Sequence, residues 1–159
     1  MALNRFSTLA IAGAIVAGLF ATATTAQDAM MMTEMPDVSS MSVAEIIALR
    51  QATMRSNGAT IRGANDLTGA DAVAAANQIV SNARTLKLLF PEGANVGDSR
   101  ALDLIWQDWD NFIANLDKLE ADALAAAAAA EAGDQDAFVT AIGETGSNCG
   151  NCHGTYRGA

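Results

Sequence analysis

Only two of the 159 residues are cysteines and only one is a histidine. A structural zinc site built of Cys and His needs four such ligands and only three exist, which argues against zinc. A single imidazole also leaves no second histidine for general-base work. Basic residues are scarce as well: 9 against 18 acidic ones give a net charge of −9. That balance argues against nucleic acid or an anionic membrane surface as a partner, and makes a basic surface the better match for a partner steered by charge. With one tyrosine and two tryptophans against abundant alanine, the composition favours helices over strands. The one long uncharged apolar run, residues 9–20, falls short of the ~20 residues needed to span a bilayer.

What is present is concentrated near the carboxyl end. Both cysteines and the histidine stand in one run, Cys149-Gly150-Asn151-Cys152-His153. A Cys-x-x-Cys-His run is the attachment signal for c-type haem: the thiols add to the porphyrin vinyl groups and the imidazole binds iron. On a helix, residues three and four apart share a face, so Cys149, Cys152 and His153 can meet one flat macrocycle while Gly150 and Asn151 point elsewhere. The rival is a redox disulfide. Such a pair normally opens a helix after a strand, whereas this one sits near the end of a helical pattern.

Residues 1–26 have the layout of a cleavable export signal: Arg5, the apolar run, then Ala-Thr-Ala-Thr-Thr-Ala before a cut after Ala26. A retained anchor is the alternative. Export places the protein in the periplasm. Residues 27–41 read as a flexible tail rich in methionine (Met30, Met31, Met32, Met35, Met41). Clustered thioethers can hold Cu(I), but no His or Cys accompanies them and a linker is the simpler reading.

Residues 42–159 form one folded unit. Ser42-Val43-Ala44-Glu45 is a capping box that starts a first helix, running to about Arg62 with Ile47, Met54 and Ile61 inward. Arg50 and Gln51 stand between these positions and can reach a buried acid. Thr68 starts a second helix to about Leu89, with Ala72, Ala76, Ile79, Ala83, Leu86 and Phe90 as its stripe. Pro91, Gly93 and Gly97 make the one long connection. Asp98 or Ser99 caps a third helix whose stripe is Leu102, Ile105, Trp109, Phe112, Leu116, Leu119 and Ala123. It continues through the alanine run at 125–130 and ends at Gly133. Asp134 caps a fourth helix carrying Phe138, Ile142, Thr145, Cys149, Cys152 and Tyr156 on one face, with Gly143 and Gly146 as local weak points. Four amphipathic helices and no strand pattern give an all-α, antiparallel four-helix bundle with the cofactor between facing helices.

The chain resembles the class II cytochromes c, the family of cytochrome c′ and its low-spin relatives, across roughly residues 43–158. Four patches carry the resemblance. They are Arg50-Gln51-Ala52-Thr53-Met54; Phe90-Pro91-Glu92-Gly93 through Gly97-Asp98-Ser99-Arg100 with Ile105-Trp106; Ala132-Gly133-Asp134; and Cys149 through Arg157. The resemblance implies one covalent haem c per chain, Arg50 and Gln51 near the haem propionates, and Arg157 beside the proximal imidazole, one turn beyond His153. It also leaves open a homodimer through the first two helices. The methionine-rich tail departs from the family pattern.

With His153 as the proximal ligand, a bis-His haem within one chain is excluded, and Met54 is the sole methionine after the tail. Ligation by Met54 makes the iron six-coordinate and the protein a carrier of single electrons exchanging with a redox partner protein. If Met54 only packs over the distal face, the iron is five-coordinate and takes nitric oxide or carbon monoxide. No nucleophile constellation or distal acid–base group points to an enzyme.

Overall fold

A computed structural model describes residues 35–159. The signal segment expected at 1–26 and residues 27–34 of the tail lie outside the described residues. The helices, in chain order, are α1 Val43–Gly63, α2 Gly69–Leu86, α3 Leu104–Gln107, α4 Trp109–Glu131 and α5 Gln135–Tyr156. Among the described residues there is no strand, only an isolated antiparallel bridge between Ala101 and Arg157. The four long helices form the antiparallel four-helix bundle that the sequence predicts.

α1 opens on the expected capping box: the Glu45 amide donates to Ser42 Oγ at 3.3 Å and the Ser42 amide donates to Glu45 Oε2 at 2.8 Å. Just ahead of it Val38 and Met41 pack against the core, so contact with the folded body starts within the segment read as tail. On α2 the stripe Ala72, Ala76, Ile79, Ala83 and Leu86 is wholly buried, and Phe90 is buried beyond the helix end. α2 stops at Leu86, short of the expected Leu89, and turns 87–89 carry the chain into the loop. The facing stripe of α4 is Phe112, Leu116, Leu119, Ala123, Ala126, Ala127 and Ala130. Alanines on both sides let α2 and α4 approach closely, so Ala126, Ala127 and Ala130 of the alanine run belong to the core.

The third helix differs from expectation. No helix begins at Asp98 or Ser99. Around Ala101 the chain instead joins the C-terminal segment, with the Gly158 amide donating to the Arg100 carbonyl at 2.8 Å and the Leu102 amide to the Tyr156 carbonyl at 3.0 Å. One helical turn, α3, follows before Asp108 breaks the path at φ −127°, ψ 44°. Leu102 and Trp109, expected inward, are 40% and 38% exposed, because these interruptions rotate them off the core face.

Gly133, at φ 72°, makes the left-handed turn between α4 and α5. Asp134 caps α5 by accepting from the Ala137 amide at 3.0 Å. α5 runs unbroken through Gly143 and Gly146. The core is concentrated in α2, α4 and α5. α1 packs on α2 and meets α5 only sparsely. One meeting point is Gly146, where a Cβ would lie 3.6 Å from Ile61 Cγ2. Beyond it a cleft separates α1 from the end of α5.

Candidate functional site

The cleft has a volume of about 790 Å³, within the ~300–1,000 Å³ range of cofactor pockets. Its α1 wall includes Arg50, Gln51 and Met54, and its α5 wall Cys152, His153 and Tyr156. Phe90, Ile105 and Phe112 give it an apolar floor. The helix register explains why Met54 and His153 share it. α1 and α5 are antiparallel and touch at Ile61 and Gly146; seven residues back from Ile61 is Met54, and seven forward from Gly146 is His153. Both steps cover two helical turns, about 10.5 Å, which puts residues 54 and 153 at about the same height on the two walls of the cleft.

Cys149 lies one turn before Cys152, half-buried and packed against the core rather than on the cleft wall. Burial pushes both thiols up, Cys152 to about 11 with the neighbouring Cys149 adding to the effect. Redox-active Cys-x-x-Cys pairs typically have a depressed thiol pKa, so the upward direction here speaks against the disulfide reading. Burial, and then the nearby Arg100 charge, push the His153 imidazole down, which favours the neutral ring with a lone pair free for a metal. Among the described residues no group of three or more His, Cys, Asp and Glu side chains gathers as a conventional metal site.

The end of α5 is fixed by Tyr156, whose hydroxyl donates to Asp108 Oδ2 at 2.7 Å and whose ring meets Phe112 edge-on at 5.2 Å. The hydrogen bond to Asp108 pushes the phenol up to about 12. Asp108 is held below its ordinary range by that bond and by one from Asn111.

Arg50 is buried, but its partners are not acids. Nη1 donates to the Leu89 carbonyl at 3.1 Å; Nη2 donates to the Ala94 carbonyl at 2.8 Å and to Ser99 Oγ at 2.7 Å. The guanidinium sits over the Phe90 ring, 4.6 Å from its centroid. Gln51 Nε2 donates to the Asp98 carbonyl at 3.4 Å. The buried acid expected for these two residues is therefore replaced by backbone carbonyls of the 89–99 loop. Arg157 is not on the helix face one turn beyond His153 either. It follows α5 in extended conformation, φ −123° and ψ 129°, held by the bridge to Ala101, and it lines the cleft from there.

Arg55, Arg62 and Arg100 also line the cleft and escaped the sequence reading. For the first two a signal existed: residues 55, 58, 59 and 62 follow helical spacing, with Gly58 and Ala59 between the two arginines. Arg100 is placed by the bridge and had no local signal. The donor set fits a covalently held haem: two thiols a turn apart, an imidazole with a thioether opposite, apolar walls, and cations for the acidic side chains of a porphyrin.

Comparison with known proteins gives the same answer. A family model described as Cytochrome C′ matches residues 44–157. Cytochrome c-556 of Agrobacterium fabrum is 36% identical over 105 residues, 66% of this chain and 70% of that one. The solved cytochrome c prime from Shewanella frigidimarina superposes with a TM-score of 0.67 at 26% identity, covering 74% of this chain and 98% of that one. A solved cytochrome c′ with a ligand-controlled dimer dissociation reaches a TM-score of 0.68 at 28% identity, over 75% and 98% of the two chains. Since the matched stretch takes in the cleft, both cysteines and the histidine, the chain belongs to the cytochrome c′ family of haem c proteins.

Proposed function

We propose that this protein is a periplasmic carrier of single electrons, with haem c joined through Cys149 and Cys152, His153 as proximal ligand and Met54 as distal ligand. The observation that carries the proposal is the register that sets Met54 level with His153 across the cleft. When bound, haem c supplies an iron that changes oxidation state by one electron. The chain's own residues do the rest. Phe90, Ile105 and Phe112 keep water from the floor; the resemblance assigns Arg50 and Gln51 to the propionates and Arg157 to the proximal imidazole, and Arg55, Arg62 and Arg100 add positive charge to the same cleft. Thioether ligation raises the reduction potential and suits a carrier. The relative named cytochrome c-556 is in keeping with this reading.

A second reading, in which Met54 packs without ligating and the iron takes nitric oxide or carbon monoxide, is supported by the solved cytochrome c′ whose dimer dissociation is described as ligand-controlled. The same relative supports a homodimer, since it is described by its dimer dissociation. The optical spectrum of the oxidised protein separates the two functions. Ligation by Met54 gives low-spin iron with an iron–thioether charge-transfer band. Met54→Ala should abolish that band and open a carbon monoxide site in the ferrous form. A wild type that is high-spin, binds carbon monoxide rapidly and is spectrally unchanged by Met54→Ala would establish the second reading.

A further inference from the structure

We infer that the mouth of the cleft is a docking face for a protein partner that presents clustered carboxylates, although the chain as a whole carries a charge of −9. The inference rests on the reading above, that electrons pass at this cleft between two proteins. Net charge alone predicts a basic partner, and the distribution of charge reverses that prediction.

Among the described residues the cations fall into two groups. Arg84, Lys87 and Lys118 are committed to ion pairs with Glu120, Asp117 and Asp122. The remaining five, Arg50, Arg55, Arg62, Arg100 and Arg157, all line the cleft, and none makes an ion pair with a described residue. No Asp or Glu lines it. Arg50 is buried and bound to the loop, whereas the other four are exposed.

Two features of the structure bring three of these four to one place, and Arg55 lines the same cleft from α1. On α1 the small Gly58 lets the Arg62 guanidinium fold back along the helix, with Nη1 3.2 Å from where a Cβ of Gly58 would stand. At the chain end the Ala101–Arg157 bridge sets Arg157 against the segment that carries Arg100. The two carboxylates of a porphyrin can neutralise at most two of the five charges. At least two of the four exposed arginines therefore keep their charge uncompensated by the cofactor, at the mouth itself, where a docking partner comes within a Debye length of them.

Small redox ions of opposite charge test this on the haem-loaded protein. Ferricyanide, a trianion, takes one electron from the reduced protein and becomes ferrocyanide; hexaammineruthenium(II), a dication, gives one electron to the oxidised protein. Raising ionic strength from about 10 mM to about 200 mM should slow the ferricyanide reaction about tenfold and leave the ruthenium reaction equal or faster, as attraction and repulsion at the mouth are screened. Arg55→Gln and Arg62→Gln should each cut the low-salt ferricyanide rate about threefold. Lys118→Gln, which alters net charge equally but away from the cleft, should not change it. Poly-L-glutamate should compete with ferricyanide at low salt, and phosphatidylglycerol vesicles should not.

A ferricyanide rate that rises with salt, or a Lys118→Gln effect as large as that of Arg62→Gln, overturns the docking face. Competition by vesicles but not by polyglutamate overturns the protein partner in favour of a membrane surface. The intact mass separates failures: a chain without covalent haem removes the functional reading and this inference together, whereas a loaded chain with the reverse salt dependence removes only the inference.

Discussion

Arg50 is only 5% exposed and meets no carboxylate, so its charge is compensated by oriented backbone dipoles and an aromatic face. Its carbonyl acceptors lie in a loop 39 and 44 residues further along the chain. Burial pushes the guanidinium pKa down, but an arginine stays charged at any physiological pH. Truncation would strand the Leu89 carbonyl, leave the Ala94 carbonyl only a long bond from Ser99 Oγ at 3.4 Å, and loosen the loop from α1. Arg50→Ala is therefore expected to lower unfolding free energy by about 2–4 kcal/mol, measured by urea denaturation of the haem-loaded protein. Arg50→Lys should recover less than half, because one ammonium cannot reproduce a planar fork that reaches three acceptors. A loss below about 0.5 kcal/mol, the range of ordinary surface substitutions, would show that the loop is held by other contacts. That Arg50 mattered was legible in the sequence from its place between inward positions. What it binds was not, since a carbonyl acceptor leaves no trace in residue type.

At the scale of elements, the strongest tie outside the core joins α2 to α4. Glu120 accepts from Arg84 Nε at 2.7 Å and from Lys87 Nζ at 2.7 Å, and Lys87 also pairs with Asp117 at 2.5 Å. Burial alone would raise the Glu120 carboxyl, but hydrogen bonds from Lys87 and Arg84 overcome it and hold the group below its ordinary value of 4.5. Burial opposes the Lys87 charge too, and hydrogen bonds to Asp117 and Glu120 overcome it, holding the amine above its ordinary 10.5. A depressed carboxyl stabilises the fold above its unfolded pKa and loses that contribution as pH falls through the folded value. A raised amine contributes fully below its unfolded pKa and loses its contribution as pH rises through the folded one. The tie is thus complete between 4.5 and 10.5. Glu120→Gln should cost about 1 kcal/mol at neutral pH, a modest figure because the cations remain partly hydrated. At acid pH, as titration passes down through the lowered folded value of Glu120, most of the gap to the wild type should close. An equal gap at both pH values would assign the loss to packing.

The same elements show where sequence reading works. Stripes whose partners are simply the interior, such as Ala72 to Leu86 or Phe112 to Ala123, were legible because helical spacing and apolarity suffice to place them. The segment from Asp98 to Asp108 was not. Its apolar spacing continues the helical stripe, yet its backbone is claimed by Tyr156 and Gly158, partners that no local pattern reveals. The cleft divides the same way: Met54, Cys152 and His153 were singled out from residue type and spacing and Arg157 through the resemblance, whereas Arg100 reaches the cleft only through that pairing.

For the molecule as a whole, α2, α4 and α5 share a close-packed apolar core, while α1 leans on α2 through a partly polar seam. There Asn82 Nδ2 donates to Asn57 Oδ1 at 2.8 Å and to Ser56 Oγ at 3.1 Å, and the buried Asn57 Nδ2 has no partner among the described residues. On its other side α1 faces the cleft. Elements with few buried apolar contacts open at the lowest free energy, so α1 should be the least protected long helix of the bundle. A porphyrin tethered to α5 and lying against α1 would stabilise the closed arrangement by binding it alone. Hydrogen exchange on the haem-loaded protein and on a Cys149→Ala, Cys152→Ala variant tests this. Loss of the tether should reduce protection most over residues 50–62 and the 89–99 loop, and least in α2 and α4. Equal losses in all four helices would mean that the bundle opens as one unit. Unchanged protection in α1 would mean that the polar seam with α2 holds it unaided, and that the cleft is a rigid socket rather than one closed by its cofactor.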